Sequence, residues 1–191
     1  MSGTGRIPHP AWPAADGILD RGLGRNYLPD LAELDQRGAI IVGHWTEARL
    51  DAVGLGIPLE GAALANVLAR FPELLAEIRR EGLRVAEIAR AVDPARQRRG
   101  IGTLLGRAVL AGAAAAGFDL VLGLAWRRPD GNVPAIGSLL KLGFEPLGDA
   151  GPIYRADCDA AVFACPRRGA DGCHCTADLL VWRQDASKET A

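Results

Sequence analysis

The chain lacks any excess of charge: 22 Lys and Arg stand against 23 Asp and Glu, a formal net charge of −1. An overall cationic surface of the kind that drives binding to nucleic acid or anionic membrane is therefore excluded, and any anion site must be local. Long apolar runs are also missing. Met1 to Pro13 holds Gly, Pro and one Arg, which reads as neither a signal peptide nor a membrane anchor and makes the cytoplasm the expected location. The longest weakly polar stretch, Ala108 to Phe118, is mostly Ala and Gly and falls short of the roughly 20 residues that span a bilayer. No internal repeat is visible, and cysteine is absent before Cys158.

What is present fits one ordinary soluble domain: 191 residues, 49% of them hydrophobic. The organisation expected is an irregular, proline-rich arm over residues 1–30, a single domain over 31–185 and a disordered tail over 186–191. Within the domain, Leu31 to Leu34 can form a helical turn, and Ala39 to Val42 and Asp51 to Ile57 read as a hairpin. Leu64, Val67, Leu68, Phe71, Leu75 and Ile78 keep helical spacing, as one helix or two abutting at Pro72, with Gly82 as the stop. Val85 to Val92 reads as a strand. Ile101, Leu104, Leu105, Ala108 and Val109 mark one face of a helix that runs to about Ala116. Leu120 to Leu124 is a buried-strand run, Pro134 to Leu142 a helix, and Ala177 to Arg183 the last strand. This mixed order indicates an α/β or α+β domain.

The segment from Val92 to Thr103 joins a strand to a helix amino terminus through Gly100 and Gly102, with Arg96, Arg98 and Arg99 close by. A helix amino terminus carries partial positive charge, and glycines let the backbone approach a ligand, so a diphosphate is the natural guest. A solvated basic turn is the alternative. Two other phosphate motifs are excluded. A Walker loop needs Gly-Lys-Ser or Gly-Lys-Thr, whereas Gly102 is followed by Thr103 and Leu104. The dinucleotide fingerprint needs a third glycine where Leu105 stands.

Gln97-Arg98-Arg99-Gly100-Ile101-Gly102, after Val92-Asp93-Pro94, resembles the pyrophosphate motif of the GNAT acetyltransferase superfamily. Further along, Asn132, Ala135-Ile136 and Lys141-Leu142-Gly143-Phe144 resemble that family's second cofactor segment. The resemblance is firm from about Val85 to Gly148 and loose over Ala39 to Ile57. It implies a mixed, mostly antiparallel central sheet flanked by helices, acetyl-CoA as acyl donor, and transfer of its acetyl group to a primary amine. The cofactor residues it implies are Ala91, Val92, Gln97, Arg98, Arg99, Gly100, Ile101, Gly102, Thr103 and Asn132, with a backbone N–H near Ala91 and Val92 polarising the acetyl carbonyl.

Glu87, on the strand, is the candidate general base, acting directly or through water; its other reading is an exposed strand residue paired with an arginine. The sequence departs from the family at Leu139, where a tyrosine often protonates the leaving thiolate. Tyr154 could substitute, or could be a core tyrosine. His44 and Trp45, at the end of the first hairpin strand, could line an acceptor pocket, but neither is given a catalytic role. Without the tyrosine, a non-catalytic acyl-CoA-binding or interaction module is the second functional reading.

All four cysteines fall late in the chain: Cys158, Cys165 after six residues, Cys173 after seven more, then His174 and Cys175. Four thiolates can close a structural zinc site that staples the loop over 156–176, with His174 as a spare ligand. Buried free thiols and a regulatory disulfide are the other two readings. Family members often pair, so a homodimer is open, with Trp182 in its interface or in the core.

Overall fold

The computed structural model describes residues 2–128, 130–162, 164 and 172–184. Seven strands form one sheet: β1 (Ser2–Arg6), β2 (Ile40–Thr46), β3 (Arg49–Pro58), β4 (Val85–Val92), β5 (Leu120–Arg127), β6 (Glu145–Gly151) and β7 (Thr176–Arg183). Their order across the sheet is β1-β2-β3-β4-β5-β7-β6. Every neighbouring pair is antiparallel except the central β4–β5 pair. This is the mixed, mostly antiparallel sheet that the resemblance implies.

Strand alternation sorts the core into two layers. On one face, Val42, Ala86, Ile88 and Val121 pack under α5 (Ile101–Ala115). Ile101, Leu105, Val109 and Ala113 recur every four residues on its inward side, and full burial of one such side chain as large as Leu105 contributes roughly 1.5–3 kcal/mol. The other face is covered in two halves. Over β3 and β4 lie α1 (Trp12–Leu23) and α2 (Leu31–Gln36), through Ala15, Ile18, Leu19, Leu31 and Leu34. Leu64, Val67, Leu68 and Ile78 of α3 (Gly61–Val67), α4 (Pro72–Glu81) and the turn between them cover Leu120, Leu122, Leu179 and Val181 of β5 and β7. The helical run from Leu64 to Ile78 is thus two helices.

The expected irregular arm is replaced by structure. Ser2–Arg6 adds an edge strand to β2, and Trp12–Leu23 is a three-turn helix. Ala15, Ile18 and Leu19 do follow helical spacing, but Gly17 and Gly22 interrupt the stripe and hide it in the sequence. Gly22 has a packing reason: a Cβ there would lie 2.8 Å from Cβ of Ala91, so glycine lets α1 seat directly on β4. The helix expected over Pro134 to Leu142 shortens to α6 (Ile136–Leu140), with turns at both ends. The cysteine-bearing loop opens with α7 (Arg155–Asp159). His44 is buried, its Nδ1 3.1 Å from Thr4 Oγ1, and Trp45 packs with the α1 layer. Trp182 packs against the α5 layer. The tail over 186–191 lies outside the described residues.

Candidate active site at the gap between two parallel strands

β4 and β5 pair only from Val85–Leu120 to Ile88–Gly123. Beyond Ile88, β4 stays bonded to β3 while β5 continues alongside β7, so the two strands part. A cavity of about 330 Å³ opens there, lined by Tyr27, Glu87 and Trp126 on the α1 side and by Arg90, Gly102 and Ser138 on the α5 side.

The backbone facing this gap follows from hydrogen-bond parity. Asp93 donates to Asp51 and Leu59 donates to Val85, so residues 85, 87, 89, 91 and 93 spend their backbone groups on β3. Arg90 and Val92 point theirs the other way, which fits the Val92 carbonyl accepting from Gln97 Nε2 at 3.1 Å. Ala91, expected as an oxyanion donor, therefore faces β3, and the N–H groups of Arg90 and Val92 are the ones turned toward the gap.

The turn after β4 is held on three sides. Asp93 caps a short 3₁₀ turn over Pro94–Arg96 by accepting from the Ala95 N–H at 2.9 Å. Arg96 lies 3.4 Å from the fully buried Asp51, which also pairs with Arg49 at 2.8 Å. Arg98 and Gly100 take left-handed backbone, φ +61° and +78°, and Gly100 begins α5 with no side-chain cap. No side chain caps the first-turn N–H groups of Ile101 and Gly102, which suits them to a ligand, and Gln97, Arg98 and Arg99 are exposed beside them. Thr103 donates its N–H back to Gly100 and lies within that first turn. Asn132, expected at the cofactor, sits in a turn where its carbonyl accepts from Arg128 and its N–H donates to Asp130. It does not line the cavity, whereas Arg128, Pro134 and Ala135 do.

Glu87 is half-buried and faces the α1 side, where Tyr27, Trp126 and Tyr154 close around it with ring centroids 5.3–5.6 Å apart. Burial pushes its carboxyl up to about 7, although a hydrogen bond donated by Tyr154 at 3.4 Å works against the rise. The Tyr154 hydroxyl is itself held well above its ordinary range by burial and by the nearby Glu87 charge. Glu87 is thus the one carboxylate in the cavity wall among the described residues, poised to exchange a proton near neutral pH. Leu139, by contrast, is 2% exposed and packs on Gly123, so no proton donor stands at that position.

The profile of the acetyltransferase (GNAT) family matches residues 21–144. The chain belongs to the GNAT acetyltransferase family. Membership carries acetyl-CoA-dependent N-acetyl transfer as its chemistry. Many solved structures share the fold, three of them as follows. The first, yncA of Salmonella typhimurium, was solved with its cofactor acetyl-CoA; it is 10% identical, covers 100% of this chain and 98% of its own, and has a TM-score of 0.67. A ribosomal-protein-alanine N-acetyltransferase from Brucella melitensis is 13% identical over 95% and 99%, with a TM-score of 0.64. An agmatine N-acetyltransferase is 15% identical over 96% and 99%, at 0.61. A search of the curated proteins found no match.

The zinc expectation for this acetyltransferase does not gain support. Among the described residues no group of three or more His, Cys, Asp or Glu is placed to hold a metal ion. Cys158 and Cys173 are instead buried small side chains in a cluster with Tyr27, Tyr154 and Cys175, backing the aromatic wall behind Glu87. Cys165 lies outside the described residues. Sequence reading missed Tyr27, Arg90, Arg128 and Ser138 in the cavity wall; the legible signal was Arg90, a second charged residue beside Glu87 in a largely apolar strand.

No helix among the described residues is long and apolar enough to cross a membrane.

Proposed function

We propose that the chain transfers the acetyl group of acetyl-CoA to a primary amine of a small molecule or peptide by direct attack, and that it does so in the cytoplasm. One observation carries this reading: a carboxylate that ionises near neutral pH and an uncapped helix amino terminus meet from opposite faces of the sheet at a single gap. The first turn of α5, with Gln97, Arg98, Arg99, Gly100, Ile101, Gly102 and Thr103, would hold the diphosphate. The acyl arm would then run into the gap, where the N–H of Arg90 or Val92 meets the carbonyl oxygen. Glu87 would take the proton from the attacking amine, and Tyr154, bonded to Glu87 and outside the cavity lining, would position that base.

The test is incubation of the purified protein with acetyl-CoA and a panel of small amines and amino-terminal peptides, with thiol release and product mass followed together. Turnover with at least one amine, lost in Glu87→Gln, is expected. Tight acetyl-CoA binding with no product from any amine would favour the non-catalytic reading, for which the apolar Leu139 is the supporting feature.

A further inference from the structure

Arg90 is a charged side chain built into the wall of the reaction cavity. Its Nη1 donates to the Gly102 carbonyl at 2.9 Å and its Nη2 to Ser138 Oγ at 3.1 Å, and among the described residues no carboxylate pairs with it. Gly106 of α5 leaves room on this side: a Cβ placed there would run into the Leu142 side chain and lie 3.1 Å from Arg90 Nη1. Holding an unpaired guanidinium half-buried costs stability, and burial lowers its pKa to about 10, which still leaves it charged at neutral pH. A guanidinium has five N–H donors, and the two named bonds account for only two of them on a residue that lines the cavity.

The reaction creates one anion that the roles assigned so far do not meet. When the carbon–sulfur bond of a thioester breaks, the electron pair stays on sulfur. Leu139 offers no proton. Tyr154 is on the opposite face, bonded to Glu87. Ser138 Oγ already donates to the Ala135 carbonyl at 2.9 Å. Arg128 follows the end of β5, five residues past Gly123, while Arg90 is only two residues past Ile88, the last β4–β5 pair.

We propose that Arg90 stabilises the departing coenzyme A thiolate by its charge, in place of a proton donor. This rests on the acetyltransferase reading above. In the balanced step, the amine nitrogen bonds to the thioester carbon as the carbonyl pair moves to oxygen, and Glu87 accepts a nitrogen proton. The oxygen pair then re-forms the carbonyl, the carbon–sulfur bond breaks with both electrons on sulfur, and the thiolate rests against Arg90. It is protonated from solvent after release.

The thiol of bound coenzyme A reports this directly, because the thiolate absorbs in the ultraviolet. Titration in wild type, Arg90→Met and Arg90→Lys should show the thiol bound to the wild type ionising about one pH unit or more below that of free coenzyme A titrated in parallel. The shift should vanish in Arg90→Met and survive in part in Arg90→Lys. In turnover, Arg90→Met should lower kcat on the order of 10²-fold with little change in KM for acetyl-CoA. A bound thiol that ionises at its ordinary pH in the wild type overturns the proposal even if Arg90→Met fails to fold. So does a variant that raises KM and leaves kcat alone, which would make Arg90 a donor-binding residue. Failure of the wild type to bind coenzyme A at all would instead remove the transferase reading, and this inference with it.

Discussion

Two charged residues of one strand, Glu87 and Arg90, point to opposite faces of the sheet, and their surroundings differ in a way that divides the chemistry. Glu87 is closed in by three aromatic rings and by the Cys158 and Cys173 packing behind them. Among the described residues its one polar partner is the long bond from Tyr154. Arg90 is bracketed by helix carbonyl and serine oxygens on the side where the diphosphate turn opens. Burial disfavours charge in both. For the carboxyl this brings ionisation to about 7, where a base works; for the guanidinium it leaves the charge in place. One face therefore manages the proton, and the other manages the donor and its anion.

The sharpest way to break this division is Glu87→Gln. The variant should lose on the order of 10²–10⁴-fold in kcat/KM above neutral pH, while its affinity for acetyl-CoA, set on the other face, stays within about twofold. Steady-state kinetics beside isothermal titration checks both halves. A pH profile sharpens it further. In the wild type kcat/KM should rise with pH through a limb near 7, because a carboxyl with a raised pKa becomes a base only above that value. Tyr154→Phe removes a bond that favours the ionised carboxylate, so its limb should move to higher pH, with a loss of about tenfold or less at neutral pH. A limb that moves down would show that Tyr154 does not support the ionised form.

The same raised pKa has a stability consequence whose sign is fixed. Between about 4.5 and 7 the folded protein holds a proton that the unfolded chain has released, so this residue makes stability fall as pH rises through that window. Melting temperatures of wild type and Glu87→Gln should therefore converge toward acid pH and separate toward neutral, the variant being the less pH-sensitive. The smallest expected effect is that of Gly22→Ala at the α1 side of the cavity, which forces a methyl against Ala91 and should cost about 1–3 kcal/mol in denaturant unfolding.

What the sequence made legible was local. Gly100 and Gly102 at fixed spacing after an apolar strand mark the turn because both its backbone shape and its charge depend on nearby residues. The bounds Val85 to Val92 could be read for the same reason. What stayed hidden depends on distant parts meeting. Tyr27 reaches Trp126 and Tyr154 only because α1 seats on β4, and Gly17 and Gly22, which blur the helical stripe, concealed α1 itself. The parity that turns Ala91 away from the gap is fixed by the Asp93–Asp51 bond, which no spacing reveals. The cysteines are the reverse case: their number and clustering suggested a metal, which gains no support among the described residues, where Cys158 and Cys173 pack behind the base.

The central claim is that the turn from Arg98 to Thr103 holds the acyl donor at this gap. Melting temperature with and without acetyl-CoA tests it most directly, since a ligand that binds only the folded state must raise it. The account predicts a rise that grows with acetyl-CoA concentration in the wild type and is absent in a folded Gly100→Glu variant, whose carboxylate would occupy the anion site. A wild type whose melting temperature ignores acetyl-CoA, or a variant that shifts as much as the wild type, would contradict it.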